Sequence, residues 1–364
     1  MGRHNARMHD IDTAALTAWL DDRERAGLFS GVVRITRGPE TLFTHAAGLA
    51  SRAHGLPNTL DTRFAVASVG KWPLAITALR LVERGELALD ARLIDLLPPD
   101  QRPVALTPEH TLHHLLSQTS GLANYADDED ETWDSFSGAI SRMPNRGRVP
   151  ADLVPLFREL PARRAPGVAY EYSDTNFVLV GLVLEAVTGR EWSTVLADEV
   201  FGPVGMQASA VEAFDEDPPR AATGYLVDEG PVERRRTNVF SSTARGMPDG
   251  GMYTDARDLA LFVDALFGGR LIGPELLSEM VRPHAPSAGD PEHYGYGCLL
   301  AVEDDRVTIV GHGGSDPGVS CFVAHHLDAA VTVVVLCNQD RGAWAASFEA
   351  ARAIGHRDPR EETD

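Results

Sequence analysis

Ser68 and Lys71 are two side chains whose types and spacing could perform nucleophilic catalysis. They lie between a predicted short strand near residues 63–66 and a predicted helix that begins near residue 70. A separation of three residues at a helix start places both side chains on one face. A serine hydroxyl is a weak nucleophile until a base removes its proton, and a desolvated lysine can be that base. The other interpretation of the pair is a helix-capping serine beside a solvated lysine.

Two further motifs begin at Tyr172 and His312. Tyr172-Ser173-Asp174 precedes a predicted buried helix over residues 176–187, and a phenol there could relay a proton. His312-Gly313-Gly314-Ser315 directly follows a predicted apolar strand, and glycine lets a ligand approach a strand closely. The N–H of Ser315 could pair with that of Ser68 as an oxyanion hole. By themselves the two motifs could equally be an ordinary loop aromatic and a glycine-rich turn.

Taken together and in this order, the three motifs resemble those of the serine β-lactamase-like family. The family includes class C β-lactamases, D-alanyl-D-alanine carboxypeptidases, D-aminopeptidases and family VIII carboxylesterases. The resemblance extends from about residue 15 to residue 340, and residues 112–122, 250–254 and 311–314 add to it. It therefore covers most of the chain.

The resemblance implies a role for each matching position. Ser68 corresponds to the acylated nucleophile and Lys71 to the residue that activates it. Tyr172 corresponds to the tyrosine that carries protons to the leaving group and later helps to activate water. His312 occupies the first position of the third motif, which is Lys or His in the family. The backbone N–H groups of Ser68 and Ser315 would hold the oxyanion, and no metal or cofactor is needed.

Three more positions are expected to border the substrate: Asp174, Gly314 and Tyr125. The second motif of the family usually ends in Asn, whereas this chain has Asp174, which only accepts hydrogen bonds when ionised. It could pair with Lys71 and keep that lysine charged, which would leave Tyr172 as the base. We therefore expect esters to be handled better than amides and β-lactams. A largely neutral His312 would also hold a substrate carboxylate less firmly than lysine does.

The predicted elements place strands at both ends of the chain and helices between them. Strands are predicted over residues 31–37, 41–47, 306–311, 319–325 and 330–337, and further helices over 74–84, 255–267 and 344–354. Pro73 fits the second helix only within its first turn. We expect an α+β, β-lactamase/transpeptidase-like fold with an antiparallel sheet flanked by helices. Residues 1–67 and 245–364 would form the sheet domain and residues 68–244 a mainly helical insertion, with the active-site cleft between them.

Charge and composition narrow the function classes. The 364 residues carry 33 basic and 53 acidic side chains, a net charge of −20, which disfavours nucleic acid and anionic membranes as partners. Three scattered cysteines predict neither a disulfide framework nor a zinc site. A polar N-terminus predicts a cytoplasmic protein, although a secreted protein whose leader had been removed would have the same sequence. The expected partner is a small ester or amide, and no oligomeric state is predicted.

We expect a serine hydrolase that acts through an acyl-Ser68 intermediate, as a carboxylesterase on small esters. Three alternatives stay open. One is a D-Ala-D-Ala carboxypeptidase, β-lactamase or D-amino-acid amidase. Another is an acyltransferase, in which an alcohol or amine replaces water in deacylation. The third is a non-catalytic relative that binds a ligand in the same cleft.

Overall fold

A seven-stranded antiparallel sheet formed by both ends of the chain lies at the centre of the fold. The computed structural model describes residues 11–126, 140, 143, 146–216, 218–227, 235–286 and 293–356. The strands of the sheet are β1 (Gly31–Arg37), β2 (Glu40–Ala47), β3 (His293–Tyr294), β4 (Leu299–Glu303), β5 (Arg306–Asp316), β6 (Val319–His326) and β7 (Val331–Cys337). Their spatial order is β2–β1–β7–β6–β5–β4–β3. The predicted α+β fold is confirmed.

Alternation along the strands directs apolar side chains into two layers of core. Val32 and Leu336 point into the larger core, whereas Val33 and Val335 point into the smaller one. The smaller core packs the sheet against helices α1 (Thr13–Arg25) and α5 (Ala343–Ala353). The larger core contains α2 (Lys71–Glu83), α3 (Asp174–Thr188) and α4 (Ala256–Phe267). A strand with a side-chain period of two can bury both faces only when each is covered in this way.

The remaining elements of the described residues are short and lie mostly between residues 48 and 280. Short strands are Leu49–Ser51, Leu56–Pro57, Phe64–Ala65 and Tyr253–Thr254. Short helices are Ala67–Gly70, Leu93–Leu96, Pro99–Gln101, Leu112–Leu116, Pro150–Leu153, Val154–Phe157, Trp192–Leu196, Ala197–Phe201, Gly202–Val204, Asn238–Phe240 and Pro274–Met280. The larger core is continuous from this region to the sheet. The division into a sheet domain and a helical insertion therefore stays a proposal.

Two boundaries differ from the sequence prediction in ways that bear on the site. Helix α2 begins at Lys71, near the start expected beside Ser68 and three residues before the predicted range 74–84, because a 3₁₀ turn over Ala67–Gly70 leads directly into it. Pro73 is its third residue, where a missing N–H costs nothing. Strand β5 continues to Asp316 instead of ending at Gly311, because β6 pairs with it along its whole second half. The third motif is thus strand, not a turn. No helix in the described ranges is long and apolar enough to cross a bilayer.

Candidate active site

Ser68 lies in the 3₁₀ turn that precedes α2. The residue before it, Ala67, has a φ of 47°, in the left-handed region that few residues other than glycine adopt. Such backbone strain persists only where the surrounding structure imposes it, and it often marks a functional site. The turn brings the Ser68 hydroxyl to 2.9 Å from the Nζ of Lys71, one turn along.

Lys71 is completely buried and its Nζ faces three oxygen atoms. The contacts are Ser68 Oγ at 2.9 Å, Asp174 Oδ1 at 2.6 Å and the carbonyl oxygen of Asp249. A carboxylate at this distance favours the charged ammonium, which then donates to all three oxygens. The predicted pairing of Asp174 with Lys71 is therefore present.

Tyr172 lies in the extended segment that leads into α3. Its neighbour Ser173 donates its backbone N–H to the side chain of Gln118 at 3.1 Å, which holds the segment in place. The Tyr172 ring lies 5.1 Å from the Lys71 Nζ, and its hydroxyl is buried with no hydrogen-bond partner of ordinary geometry. Burial, and then the charge of Asp174, raise the pKa of Tyr172 well above its usual value, although Ser68 acts to lower it. This shift opposes the expectation that a Tyr172 phenolate is the base in the empty site.

The third motif reaches the Ser68 turn along strand β5. Strand β4 pairs with β5 only as far as Gly311, so the edge beyond that residue faces the cleft. Gly314 packs directly against the turn, because a Cβ there would meet the carbonyl oxygen of Val66 and lie 3.2 Å from the Ser68 nitrogen. Gly313 lies under the indole of Trp344, and a Cβ on Gly313 would come within 2.5 Å of that ring. Glycine is required at both positions by these close approaches.

A cleft of about 450 Å³ joins these elements. Seven of the eight predicted site residues line it: Ser68, Tyr125, Tyr172, Asp174, His312, Gly314 and Ser315. Lys71, the eighth, is buried beside it and hydrogen-bonded to Ser68. The structure therefore brings the predicted residues together from four separate segments.

Asp249 and Asp316 also line the cleft, and sequence reasoning missed both. The hydroxyl of Tyr125 donates to Asp249. Burial, and then repulsion by Asp174, raise the pKa of Asp249 to about 6. Burial, and then repulsion by Asp249 and Asp174, raise that of Asp316 to about 8. Nothing in the local sequence signals either shift, because each depends on neighbours that are distant in the chain.

One sequence signal for the site was available and was overlooked. Lys71 is the single lysine among 364 residues, and the other 32 of the 33 basic residues are arginines. Lysine can lose its proton in a protein, whereas arginine stays charged. A lysine that is the single one of its type in the chain, three residues after a serine, therefore indicates a catalytic role more strongly than the spacing of Ser68 and Lys71 does by itself.

Three histidines near residue 112 are His110, His113 and His114. They form hydrogen bonds within the protein, respectively to Ser120, Tyr296 and Thr111. Within the described ranges no three His, Cys, Asp or Glu side chains are grouped so that they could hold a metal ion.

Comparisons with known proteins agree with this geometry. A family model described as Beta-lactamase matches residues 16–356. Esterase EstB of Burkholderia gladioli is 33% identical over 332 residues, which cover 81% of this chain and 82% of the esterase. A D-aminopeptidase of Cereibacter sphaeroides is 27% identical over 337 residues, which cover 91% of this chain and 61% of that protein.

The fold agrees as well. The solved structure of a penicillin binding protein from Bacillus halodurans superimposes with a TM-score of 0.84 at 33% identity. The match covers 93% of this chain and 99% of that one. The chain therefore belongs to the beta-lactamase family of serine hydrolases.

Proposed function

We propose that the protein hydrolyses small carboxylic esters through an acyl-Ser68 intermediate. The observation that carries this proposal is the placement of the Ser68 hydroxyl, 2.9 Å from a buried lysine amine at the floor of an open cleft. The nearby edge of β5 supplies backbone for an oxyanion hole. The 33% identity to an esterase supports the choice of ester substrates.

In the proposed acylation, Ser68 Oγ bonds to the ester carbonyl carbon, and the carbonyl oxygen becomes an oxyanion. The N–H groups of Ser68 and Ser315 stabilise that charge. The neutral Tyr172 accepts the serine proton while it passes its own proton to the leaving alcohol oxygen. The carbon–oxygen bond to the alcohol then breaks. Water reverses the sequence in deacylation, and the Lys71 ammonium stabilises negative charge on Oγ in both steps.

The charge state of Lys71 is the reason to prefer esters. An amide leaves as an amine that needs full protonation, and that step depends on a strong acid–base pair. Because Lys71 is paired with Asp174 and Tyr172 is held neutral, the acid–base pair in this site is weak. An alcohol is a better leaving group and needs less assistance. Esters are therefore favoured by the same ion pair that disfavours amides.

A second candidate function is favoured by the charge of the cleft. Asp249 and Asp316 face the substrate space in addition to the carboxylate that Lys71 neutralises. A substrate whose acyl group carries an ammonium would favour the ionised form of these two carboxyl groups and pair with them. Esters or amides of amino acids with a free amine are such substrates, and a D-aminopeptidase is among the relatives.

The test is turnover of p-nitrophenyl acetate and butyrate, with mass spectrometry to detect an acyl adduct. We expect Ser68→Ala and Tyr172→Phe each to lose about 10³-fold or more in kcat/KM. Ser347→Ala and Tyr253→Phe are matched controls outside the cleft and should retain activity. Absence of both turnover and adduct in the wild type would refute the esterase proposal. Faster hydrolysis of a chromogenic cephalosporin than of the esters would refute the ester preference.

The second candidate needs its own comparison. An alanine p-nitroanilide with a free amine, of either hand, is compared with its N-acetylated form. Preference for the free amine, lost in Asp316→Asn but kept in Asp340→Asn, would support it. Asp340 is a half-buried carboxylate that does not line the cleft. Equal rates for the two anilides would contradict it.

A further inference from the structure

We propose that Tyr294 is a positioning residue that holds His312 as a neutral imidazole with its proton on Nδ1. The consequence is discrimination at the cleft against substrates that carry a carboxylate near the scissile bond. This inference rests on the proposed function and deepens it, because it assigns a determinant of the substrate class. Tyr294 belongs to none of the three motifs.

Two hydrogen-bond contacts of the His312 ring indicate its tautomer. Nδ1 lies 2.5 Å from the carbonyl oxygen of Gly313, and Nε2 lies 3.0 Å from the hydroxyl of Tyr294. A carbonyl oxygen can only accept, so Nδ1 carries a proton. In a neutral ring Nε2 is then an acceptor, and the Tyr294 hydroxyl donates to it.

Strand register explains why Tyr294 is available for this contact. Tyr294 pairs with Leu299, and Leu299 pairs with Gly311, the residue before His312. The Tyr294 side chain is buried and stacks on Tyr170 with ring centroids 5.4 Å apart. Its edge also meets the ring of Tyr172 at 6.2 Å. Tyr294 thus stands between the second and third motifs and cannot turn away from either.

Gln118 constrains the direction in which Tyr294 donates. Its side-chain oxygen accepts from the Ser173 N–H at 3.1 Å and from the Asn176 amide at 2.5 Å, so its NH₂ group points the other way. The Gln118 NH₂ group acts to lower the pKa of Tyr294, although it forms no hydrogen bond of ordinary geometry. An NH₂ group cannot accept a proton, so it does not compete with Nε2 of His312 for the Tyr294 proton.

Protonation of His312 would disrupt this arrangement. The Nε2–H of a protonated His312 would point at the Tyr294 oxygen, and the Tyr294 proton would then lose its acceptor. Leaving a buried hydroxyl proton without an acceptor inside a packed aromatic cluster costs free energy. The titratable groups packed near Tyr294 include Tyr170, Tyr172 and Cys298, and Asp316 lies on the cleft side. A substrate carboxylate would thus meet a neutral imidazole and an acidic cleft.

The chain contains a matched control. Tyr296, two residues further along, is equally buried, and its hydroxyl lies 2.8 Å from Nδ1 of His113. That tyrosine–histidine pair does not line the cleft. Tyr294→Phe and Tyr296→Phe therefore remove the same atom from the same kind of pair, at one position in the site and at one outside it.

The first readout is the ¹⁵N spectrum of histidine-labelled protein between about pH 8 and pH 6. In the wild type we expect His312 to remain the neutral Nδ1–H tautomer throughout. In Tyr294→Phe it should gain a second proton toward the lower pH. A His312 that carries its proton on Nε2, or that already charges in the wild type, would overturn the proposal. This readout needs no turnover, so it stands even if the esterase proposal fails.

The second readout is selectivity. Neutral p-nitrophenyl butyrate and 3-acetoxybenzamide are compared with mono-p-nitrophenyl succinate and 3-acetoxybenzoate. In Tyr294→Phe the carboxylate-to-neutral ratio of kcat/KM should rise about tenfold at pH 6 for at least one pair, the effect of about 1.4 kcal/mol from one new charge. The ratio should be unchanged at pH 8.5 and in Tyr296→Phe. An equal rise in both variants, or no rise with either pair, would overturn the proposal.

A further variant covers the case in which Tyr294→Phe does not fold. His312→Lys places a permanent cation at the same position and leaves Tyr294 intact. It should raise the carboxylate-to-neutral ratio at both pH values. A ratio unchanged by His312→Lys would show that this position does not contact the carboxylate, and the selectivity part of the proposal would fall.

Discussion

Two buried cations lie eight residues apart on either side of Ser68, and their surroundings differ. Arg63 donates to the carbonyl oxygen of Ala208 at 2.6 Å and to the carboxylate of Glu212 at 2.5 Å. Arg63 therefore connects the chain beside a short strand to residues 208–212, and its one positive charge is matched by the one negative charge of Glu212. Lys71 also has a carboxylate partner, yet two more carboxylates line the cleft beside it.

The difference separates a structural ion pair from a functional one. Around Arg63 the charges balance, and the guanidinium has its hydrogen-bond acceptors. Around Lys71 the carboxyl groups outnumber the lysine, and burial, followed by repulsion between these carboxyls, raises the pKa values of Asp249 and Asp316. Perturbed carboxylates in a cleft indicate a binding or catalytic site, whereas a balanced pair indicates folding stability. The following predictions test whether this contrast holds.

The largest expected effect is on catalysis at Lys71. Lys71→Met should lower kcat/KM for p-nitrophenyl butyrate by about 10³-fold or more, because no cation remains to stabilise charge on Ser68 Oγ. If the lysine acts as a cation, Lys71→Arg should retain more activity than Lys71→Met. If the lysine acts as a base, the two variants should be equally inactive. Loss of less than tenfold in Lys71→Met would contradict its role.

Because Lys71 is the single lysine, its charge can be measured directly. Protein labelled with ¹³C at lysine Cε has one side-chain resonance from this residue type. We expect the shift of an ammonium at pH 7 in the empty enzyme. The shift of a neutral amine would make Lys71 the base and would remove the reason for preferring esters.

The next effect is on stability at Arg63. Arg63→Met should lower the free energy of unfolding by about 3–5 kcal/mol, because it leaves Glu212 without its partner. The kcat of the folded fraction should not change. Urea unfolding measures the free energy of unfolding. The kcat of the folded fraction is the turnover rate divided by the concentration of sites that can be acylated. Arg306→Met removes an exposed pair with Asp328 and should cost less than about 1 kcal/mol. A similarly small loss of stability in Arg63→Met would contradict the view that Arg63 forms a structural ion pair, in contrast to Lys71.

A smaller effect is expected when the ion pair in the cleft is weakened. Asp174→Asn removes the carboxylate 2.6 Å from Lys71 and leaves an amide of the same shape. The lysine then loses its proton more readily and can act as a base. We expect the amide-to-ester ratio of kcat/KM to rise by a factor of about five. The comparison uses an anilide and a phenyl ester of the same acid, and an unchanged or lower ratio would argue against the ion pair as the cause of ester preference.

The last effect concerns how the stability of the protein depends on pH through Asp316. Its folded pKa of about 8 lies above the ordinary value of 3.8, so the folded state binds the proton more tightly than the unfolded state. Stability is therefore lost as the pH rises from about 4 to about 8. Asp316→Asn should remove this loss, so the variant should gain stability over the wild type at pH 8 and show little gain near pH 4. Asp264→Asn, at a carboxylate paired with Arg270, should show no such gain. A gain independent of pH would point to packing instead of charge.

The sequence predicted the fold where a local pattern carried it. Strands β1, β2, β6 and β7 lie within about two residues of their predicted bounds, because β-branched runs bounded by glycine and proline identify strands. The predicted start of α4 is also close to the observed one, and Asp255 caps the helix by accepting from the Asp258 N–H at 2.8 Å. The end of β5 was misplaced, since glycines read as a turn are held in the ladder by β6.

What the sequence by itself determined was the set of candidate catalytic groups. Ser68, Lys71, Tyr172 and His312 could be identified because each chemistry needs a particular residue type at a particular spacing or element boundary. Their assembly could be inferred only from the resemblance to a family.

What only the tertiary structure decided was the electrostatics of that set. Asp249 and Asp316 line the cleft and Tyr294 contacts His312, and no local pattern in the sequence distinguishes these three residues from surface residues. Their effect on Lys71 and His312 comes from burial and from distances of a few ångströms. Those quantities depend on how strands and helices pack, so a pattern along the chain cannot supply them.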